Sequence, residues 1–223
     1  MNKEKRILES WKKNASHWIE VIDSNAIESR KLATNKAIVD AVINANPLTV
    51  IDIGCGEGWL AKELSDRNIS VTGIDAIPAL IDMARQKSPG KFIVASYQDI
   101  AEGKLPGVKR SDVIVINFAL ISKESTEQLI GALPALLNAK GRLFIQTLHP
   151  LNRKAIDDYK TGWKPGSWDG LGDKFTEPYE WYFRTMEDWF SLLENSGFSQ
   201  LKTTDVLHPQ TGALLSVIFE CAV

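Results

Sequence analysis

From residue 49 onward the chain alternates short apolar runs with amphipathic stretches. Residues 49–53, 70–74, 92–95, 113–116 and 142–147 are strand-sized and rich in Val and Ile. Between them, residues 59–66, 78–86 and 124–137 space their apolar side chains as helix faces do. Pro78 suits the first turn of its helix, and Gly141 punctuates the approach to the fifth strand. Near-continuous apolar strands alternating with helices predict a parallel sheet covered on both faces.

The two ends depart from this alternation. Residues 4–22 place Ile7, Leu8, Trp11, Ala15, Trp18, Ile19 and Ile22 on one helical face. A second helix over 31–45 stops at Asn46-Pro47. After residue 148 the pattern dissolves: 149–184 is rich in Gly, Pro, Trp and Tyr without a period. A helix over 185–195 ends at Gly197, and strands over 201–206 and 213–222 are joined so tightly that they must run antiparallel. The chain thus reads as one α/β domain: a helical cap (1–46), a core (48–147), an inserted segment (149–184) and a closing helix with hairpin (185–223).

Composition narrows the classes. With 223 residues there is room for one domain and its insertions, not for two full-sized domains. A net charge of -2 and a pI near 6.0 give no basic surplus, which argues against a nucleic-acid partner. No apolar run is long enough for a membrane span, and the N-terminus has no apolar core of a signal peptide. Cys55 and Cys221 stand apart, with no zinc-ligand spacing around them. No metal site is expected, both cysteines read as buried thiols, and a cytoplasmic location follows as the expectation.

The chemistry concentrates in Val50-Ile51-Asp52-Ile53-Gly54-Cys55-Gly56-Glu57-Gly58, where the first strand turns into a helix. Glycines let the backbone turn sharply and approach a ligand without an intervening side chain. The helix N-terminus beyond them offers free N–H groups. Asp75 ends the second strand, 21 residues after Gly54. An acid at that distance can accept both hydroxyl protons of a ribose. Loop and acid together specify a ribose-bearing ligand at the carboxyl ends of the strands.

Asp52–Gly58 matches Asp/Glu-x-Gly-x-Gly-x-Gly at every fixed position, and here the chain resembles the class I S-adenosylmethionine-dependent methyltransferases. The resemblance covers residues 48–147 and continues loosely through 187–223. It implies a Rossmann-like, mostly parallel seven-stranded sheet flanked by helices and ending in an antiparallel hairpin strand. It also implies S-adenosylmethionine as cofactor and methyl transfer to a small-molecule acceptor. Carried over by position, Asp52 and the backbone at Gly54, Cys55, Gly56 and Gly58 would face the methionine end. Asp75 would hold the ribose, and Ala76 and Ile77 would border the adenine. An acid is common in the family after the third strand; this chain has Ser96-Tyr97 instead, and Tyr97 is expected to pack on the ring. Asn117-Phe118 falls where the family lines the methionine site. Trp11-x-x-x-Ala15-x-x-Trp18 is similar to a segment of the ubiquinone and menaquinone biosynthesis group that forms a helix over the cofactor, which places Trp18 at the site. Simple packing of that helix on the sheet is the alternative.

On the acceptor side, His149 follows the fifth strand and is the candidate general base. His208 lies in the final turn, and Arg153 and Lys154 could receive an acidic acceptor. In-line transfer from a sulfonium depends chiefly on holding two reactants aligned, so no base is strictly demanded. Trp163, Trp168, Tyr179, Trp181 and Tyr182 predict either a lid over an apolar or aromatic acceptor or an interface, leaving monomer and homodimer both open. Two other functions fit less well. A nucleotide-cofactor oxidoreductase would want glycine where Trp59 stands. A non-catalytic S-adenosylmethionine-binding regulator would keep the same motif and stands as the alternative.

Overall fold

A computed structural model of the chain describes residues 2–152 and 158–223. Five strands run parallel in the order β3-β2-β1-β4-β5: Thr49–Ile53 (β1), Ser70–Asp75 (β2), Lys91–Val94 (β3), Ser111–Asn117 (β4) and Leu137–Leu148 (β5). The last two sheet strands, Ser199–Leu207 (β8) and Leu214–Ala222 (β9), extend the sheet beyond β5 in the order β9-β8. β9 is antiparallel to both its neighbours. The expected seven-stranded, mostly parallel sheet with a closing hairpin is what the chain forms, and β1 gains a neighbour on each side by a switch in strand order.

Alternation along each strand explains the two layers of core. On β1, Ile51 and Ile53 point to one face and Val50 to the other; on β4, Ile114 and Ile116 oppose Val113 and Val115. The isoleucine face packs beneath Tyr97–Ala101 (α5), Glu124–Ala132 (α6) and Met186–Asn195 (α7), through Ile100, Leu129, Ile130, Trp189 and Leu193. The valine face is covered by Asn35–Asn44 (α2), Trp59–Ser65 (α3) and Pro78–Lys87 (α4), through Ile38, Val42, Leu60, Leu64 and Ile81. Such covering on both sides leaves the strand ends as the natural place for a site.

Several boundaries differ from expectation. The helix predicted over 31–45 begins with a wider π turn at Arg30–Thr34. The helix predicted to residue 137 tightens into a 3-10 turn at Leu133–Leu136, where Pro134 cannot continue the ladder. Ser96-Tyr97, after the third strand, opens a short helix that Ser96 and Asp99 cap reciprocally. Segment 149–184 is not wholly irregular: Gly162–Lys164 (β6) and Trp181–Phe183 (β7) pair as a small antiparallel ribbon.

The N-terminal helix Lys3–Asp23 (α1) is tied to this segment. Asn14 is fully buried; its Nδ2 donates to the Thr176 carbonyl at 2.7 Å and its Oδ1 accepts the Thr176 N–H at 2.9 Å. Trp168 donates through Nε1 to Ser10 Oγ at 2.9 Å, and Trp11 donates to the Tyr179 hydroxyl at 2.9 Å. The rings of Trp11, Trp168 and Tyr179 meet edge to face. The other end of α1 packs through Ala15, Trp18 and Ile19 on Ile77 and Leu80 at the start of α4.

Candidate active site

The backbone builds the floor of the site. After β1 the chain takes positive φ at Gly54, Gly56 and Gly58. A side chain at Gly54 would meet Ala119 Cβ at 2.4 Å, so glycine there lets the segment after β4 close on the loop. Gly54 and Cys55 both donate N–H to the Ile74 carbonyl, which fastens the loop to the end of β2.

Asp75 stands beside this loop. Its Oδ2 accepts the Gly56 N–H at 2.9 Å and its Oδ1 the Ile77 N–H at 2.9 Å. Burial raises its pKa to about 6, against the pull of those N–H donors. Each oxygen retains a lone pair for a further donor. Behind it, Asp52 is 1% exposed with Oδ2 unpaired. Burial, reinforced by Asp75 and Glu57, lifts its carboxyl to about 8. Burial, with the nearby carboxylates, also pushes the Cys55 thiol well up, which leaves it inert as a nucleophile.

A cavity of about 1140 Å³ starts at this loop and runs under α1 and segment 158–184. Of the positions expected to hold a cofactor, Gly54, Cys55, Gly56, Asp75, Ala76, Ile77, Ser96, Tyr97, Asn117, Phe118 and Trp18 all line it. Trp18 lies over the glycine loop: its Nε1 is 3.8 Å from where a Gly56 side chain would begin. Tyr97 does not offer its hydroxyl to a ligand but donates to the Ala119 carbonyl at 2.9 Å.

Three expected residues sit elsewhere. Asp52 lies behind the loop rather than on the cavity wall, because it belongs to the buried strand β1. Gly58 serves helix packing: at φ 86° a Cβ there would meet Ala84 Cβ of α4 at 2.8 Å. His149 is buried and not among the cavity's lining residues. Its Nδ1 accepts the Leu151 N–H at 3.1 Å and its Nε2 faces Asp205 Oδ1 at 3.2 Å. With Nδ1 accepting a backbone N–H and Nε2 facing a carboxylate, both ring nitrogens are engaged within the protein, unlike the open position expected of a general base. His208 accepts backbone N–H groups of its own turn. Arg153 and Lys154 lie outside the described residues.

The sequence reading missed Arg30. This residue lines the cavity, with its guanidinium 4.8 Å from the Trp59 ring centroid and 5.9 Å from that of Trp18. Burial lowers its pKa, partly offset by Glu57. Among the described residues its guanidinium makes no hydrogen bond or ion pair. Nearby on the same wall, Thr34 Oγ1 is buried without a partner. The signal was present: Arg30, Thr34 and Ile38 fall four residues apart, so a cation sits on the apolar face of a helix. A half-buried guanidinium without an ion-pair partner on the wall of a cavity is suited to receive an anion.

The fold and this strand-end site define a class: the Rossmann-like α/β domain of class I S-adenosylmethionine-dependent methyltransferases. A family profile described as a methyltransferase domain matches residues 24–202, and the chain belongs to that family. Among curated relatives, a ubiquinone biosynthesis O-methyltransferase of Rickettsia canadensis is 25% identical over 155 residues, 67% of this chain and 65% of that protein. An uncharacterized methyltransferase of Mycobacterium tuberculosis is 29% identical over 137 residues, 61% of this chain and 66% of that one. The chain therefore spans somewhat under two thirds of the length of these relatives. In fold it is similar to a possible histamine N-methyltransferase of Thermotoga maritima (TM-score 0.68, 14% identity, 96% of this chain and 98% of that one). It is also similar to the 1,6-didemethyltoxoflavin-N1-methyltransferase of Burkholderia thailandensis (TM-score 0.64, 16% identity, 94% and 87%). No helix among the described residues is long and apolar enough to cross a membrane.

Proposed function

We propose that this chain binds S-adenosylmethionine on the glycine loop and catalyses transfer of its methyl group to a small molecule held beneath α1 and segment 158–184. The carrying observation is that one cavity joins Gly54, Gly56 and Asp75 to an aromatic compartment lined by Trp11, Trp168 and Tyr179. The polar groups left unpaired there fit the cofactor. Asp75 would take the ribose hydroxyls, Arg30 with Thr34 the amino-acid carboxylate, and Ala76 and Ile77 the edge of the adenine. When bound, S-adenosylmethionine supplies a methyl group already activated by its sulfonium. The chain's own part is to align acceptor and donor and keep water out, work suited to a covered cavity with no histidine among its described lining residues.

Calorimetric titration with S-adenosylmethionine, S-adenosylhomocysteine and NAD tests this reading. Binding of the first two and not of NAD is expected. Binding of NAD alone, or of none, would sink it.

A further inference from the structure

A second cavity, of about 570 Å³, adjoins the first. Its walls are the C-terminal end of α1, the turn leading into α2, one side of α3 and the last residue of α4. Ile27, Arg30 and Trp59 line both cavities and so form the partition between them. Val21, Asp23, Lys62 and Lys87 line the second cavity alone.

The charges on this wall are unevenly satisfied. Lys87 Nζ meets Asp23 Oδ1 at 2.5 Å, Lys62 Nζ meets Asp66 Oδ2 at 2.6 Å, and Glu63 Oε2 meets Arg67 at 2.9 Å. Of the charged residues lining the second cavity, Arg30 alone has no ion-pair partner among the described residues. Its guanidinium stacks on the Trp59 ring at 4.8 Å, which leaves its edges for hydrogen bonds. A guanidinium carries five N–H donors, and a carboxylate bound side-on takes two of them. The cofactor carboxylate therefore leaves Arg30 with donors to spare. Beside it, Val21, Ile22 and Ile27 supply apolar surface. A cation with unused donors next to an apolar wall selects an organic anion over a bare inorganic one.

We propose that the second cavity is a regulatory site for a small organic anion, a carboxylate on an aromatic or apolar body, which shares Arg30 with the cofactor and weakens its binding; the coupling rests on the function proposed above. The carboxylate pairs with Arg30, and the body lies against Val21, Ile22 and the Trp59 ring. Whichever anion arrives first neutralises part of the attraction that Arg30 offers the other, and the two repel across the partition. Each ligand thus weakens the other by the same factor.

The test titrates the whole chain calorimetrically with benzoate, and with benzamide as its neutral isostere, with and without S-adenosylhomocysteine. Benzoate should bind saturably and benzamide should not. Rising benzoate should weaken S-adenosylhomocysteine about tenfold and then have no further effect, and saturating S-adenosylhomocysteine should weaken benzoate by the same factor. Val21→Trp, which fills the second cavity, should abolish benzoate binding. Because that variant could disturb folding, Lys62→Ala is the second. It removes a half-exposed cation whose loss the fold tolerates, and should weaken benzoate about threefold. Neither variant should change S-adenosylhomocysteine affinity in the absence of benzoate. A loss of S-adenosylhomocysteine affinity that continues without levelling means that benzoate enters the cofactor site itself, and overturns the proposal. So does benzoate binding that both variants leave unchanged, equal binding of benzamide, or no benzoate binding at all. A parent that binds benzoate but not S-adenosylhomocysteine would instead remove the methyltransferase reading and the coupling with it, leaving only the anion site.

Discussion

The two halves of the cavity are made in opposite ways. Around the glycine loop, most of the wall comes from the loop itself and from side chains at the strand ends, fixed by the parallel sheet, with Trp18, Arg30 and Thr34 added from the N-terminal helices. Beneath α1 and segment 158–184 the wall is side chain, chiefly rings, and its members come from distant parts of the chain. Trp11 and Tyr179 are 168 residues apart, and Ser10 and Trp168 are 158 apart. The first half is rigid because the sheet needs it to be. The second holds together through a few hydrogen bonds and ring contacts, which makes it the part free to change from one acceptor to another.

That contrast can be broken from either side. The largest effect is expected for Asp75→Ala, which removes both acceptors offered to a ribose. Cofactor affinity should fall by about 100-fold or more, as for charged hydrogen bonds, with the circular dichroism spectrum retained. Unchanged calorimetric affinity would remove Asp75 from the site. Next comes Gly58→Ala. The left-handed φ and the approach to Ala84 should cost about 2–3 kcal/mol in urea unfolding. A cost near zero would mean that α3 and α4 can separate freely.

On the other side, Asn14→Ala should leave the two Thr176 backbone groups without partners. We expect a loss of about 2 kcal/mol and faster proteolysis confined to segment 158–184, with cofactor affinity almost unchanged. Loss of cofactor binding in equal measure would show that the halves are one mechanical unit.

The pH dependence sharpens the same division. Asp75 titrates near 6 without ligand, and a ribose donating two hydroxyls would favour its ionised form. Affinity for S-adenosylhomocysteine should therefore fall about tenfold per pH unit below 6 and level off above it. Stability should move the other way. Asp75 and Asp52 have folded pKa values of about 6 and about 8, both raised above their unfolded values. Their contribution is fully present below the unfolded carboxylate range and is lost as pH rises through 6 and then 8. A pH-independent affinity would mean that Asp75 is not the ribose acceptor.

The same division governs what the amino-acid sequence discloses. The cofactor half is written locally: apolar strands fix the sheet, and Asp52, three glycines and Asp75 fall at set distances on one strand–loop–helix–strand unit. Arg30 escaped because its role depends on which face of the π turn before α2 meets the loop, although its spacing from Thr34 and Ile38 carried a hint. His149 shows the converse. Its position at a strand end is that of a catalytic base, but only the fold shows the Leu151 N–H and Asp205 taking up both ring nitrogens. The aromatic compartment was visible as composition without arrangement, since nothing near Trp11 in the chain announces a partner at Tyr179.

The tie between α1 and the far segment also bears on the order in which the molecule is made. As the chain emerges during synthesis, Ala15, Trp18 and Ile19 can find Ile77 and Leu80 once α4 is out. Ser10 waits for Trp168, and the Trp11 indole N–H for the Tyr179 hydroxyl, both synthesised long afterwards. The first turns of α1 are thus translated long before the segment that buries them. For most of its birth the protein has a finished nucleoside-binding floor and an open roof.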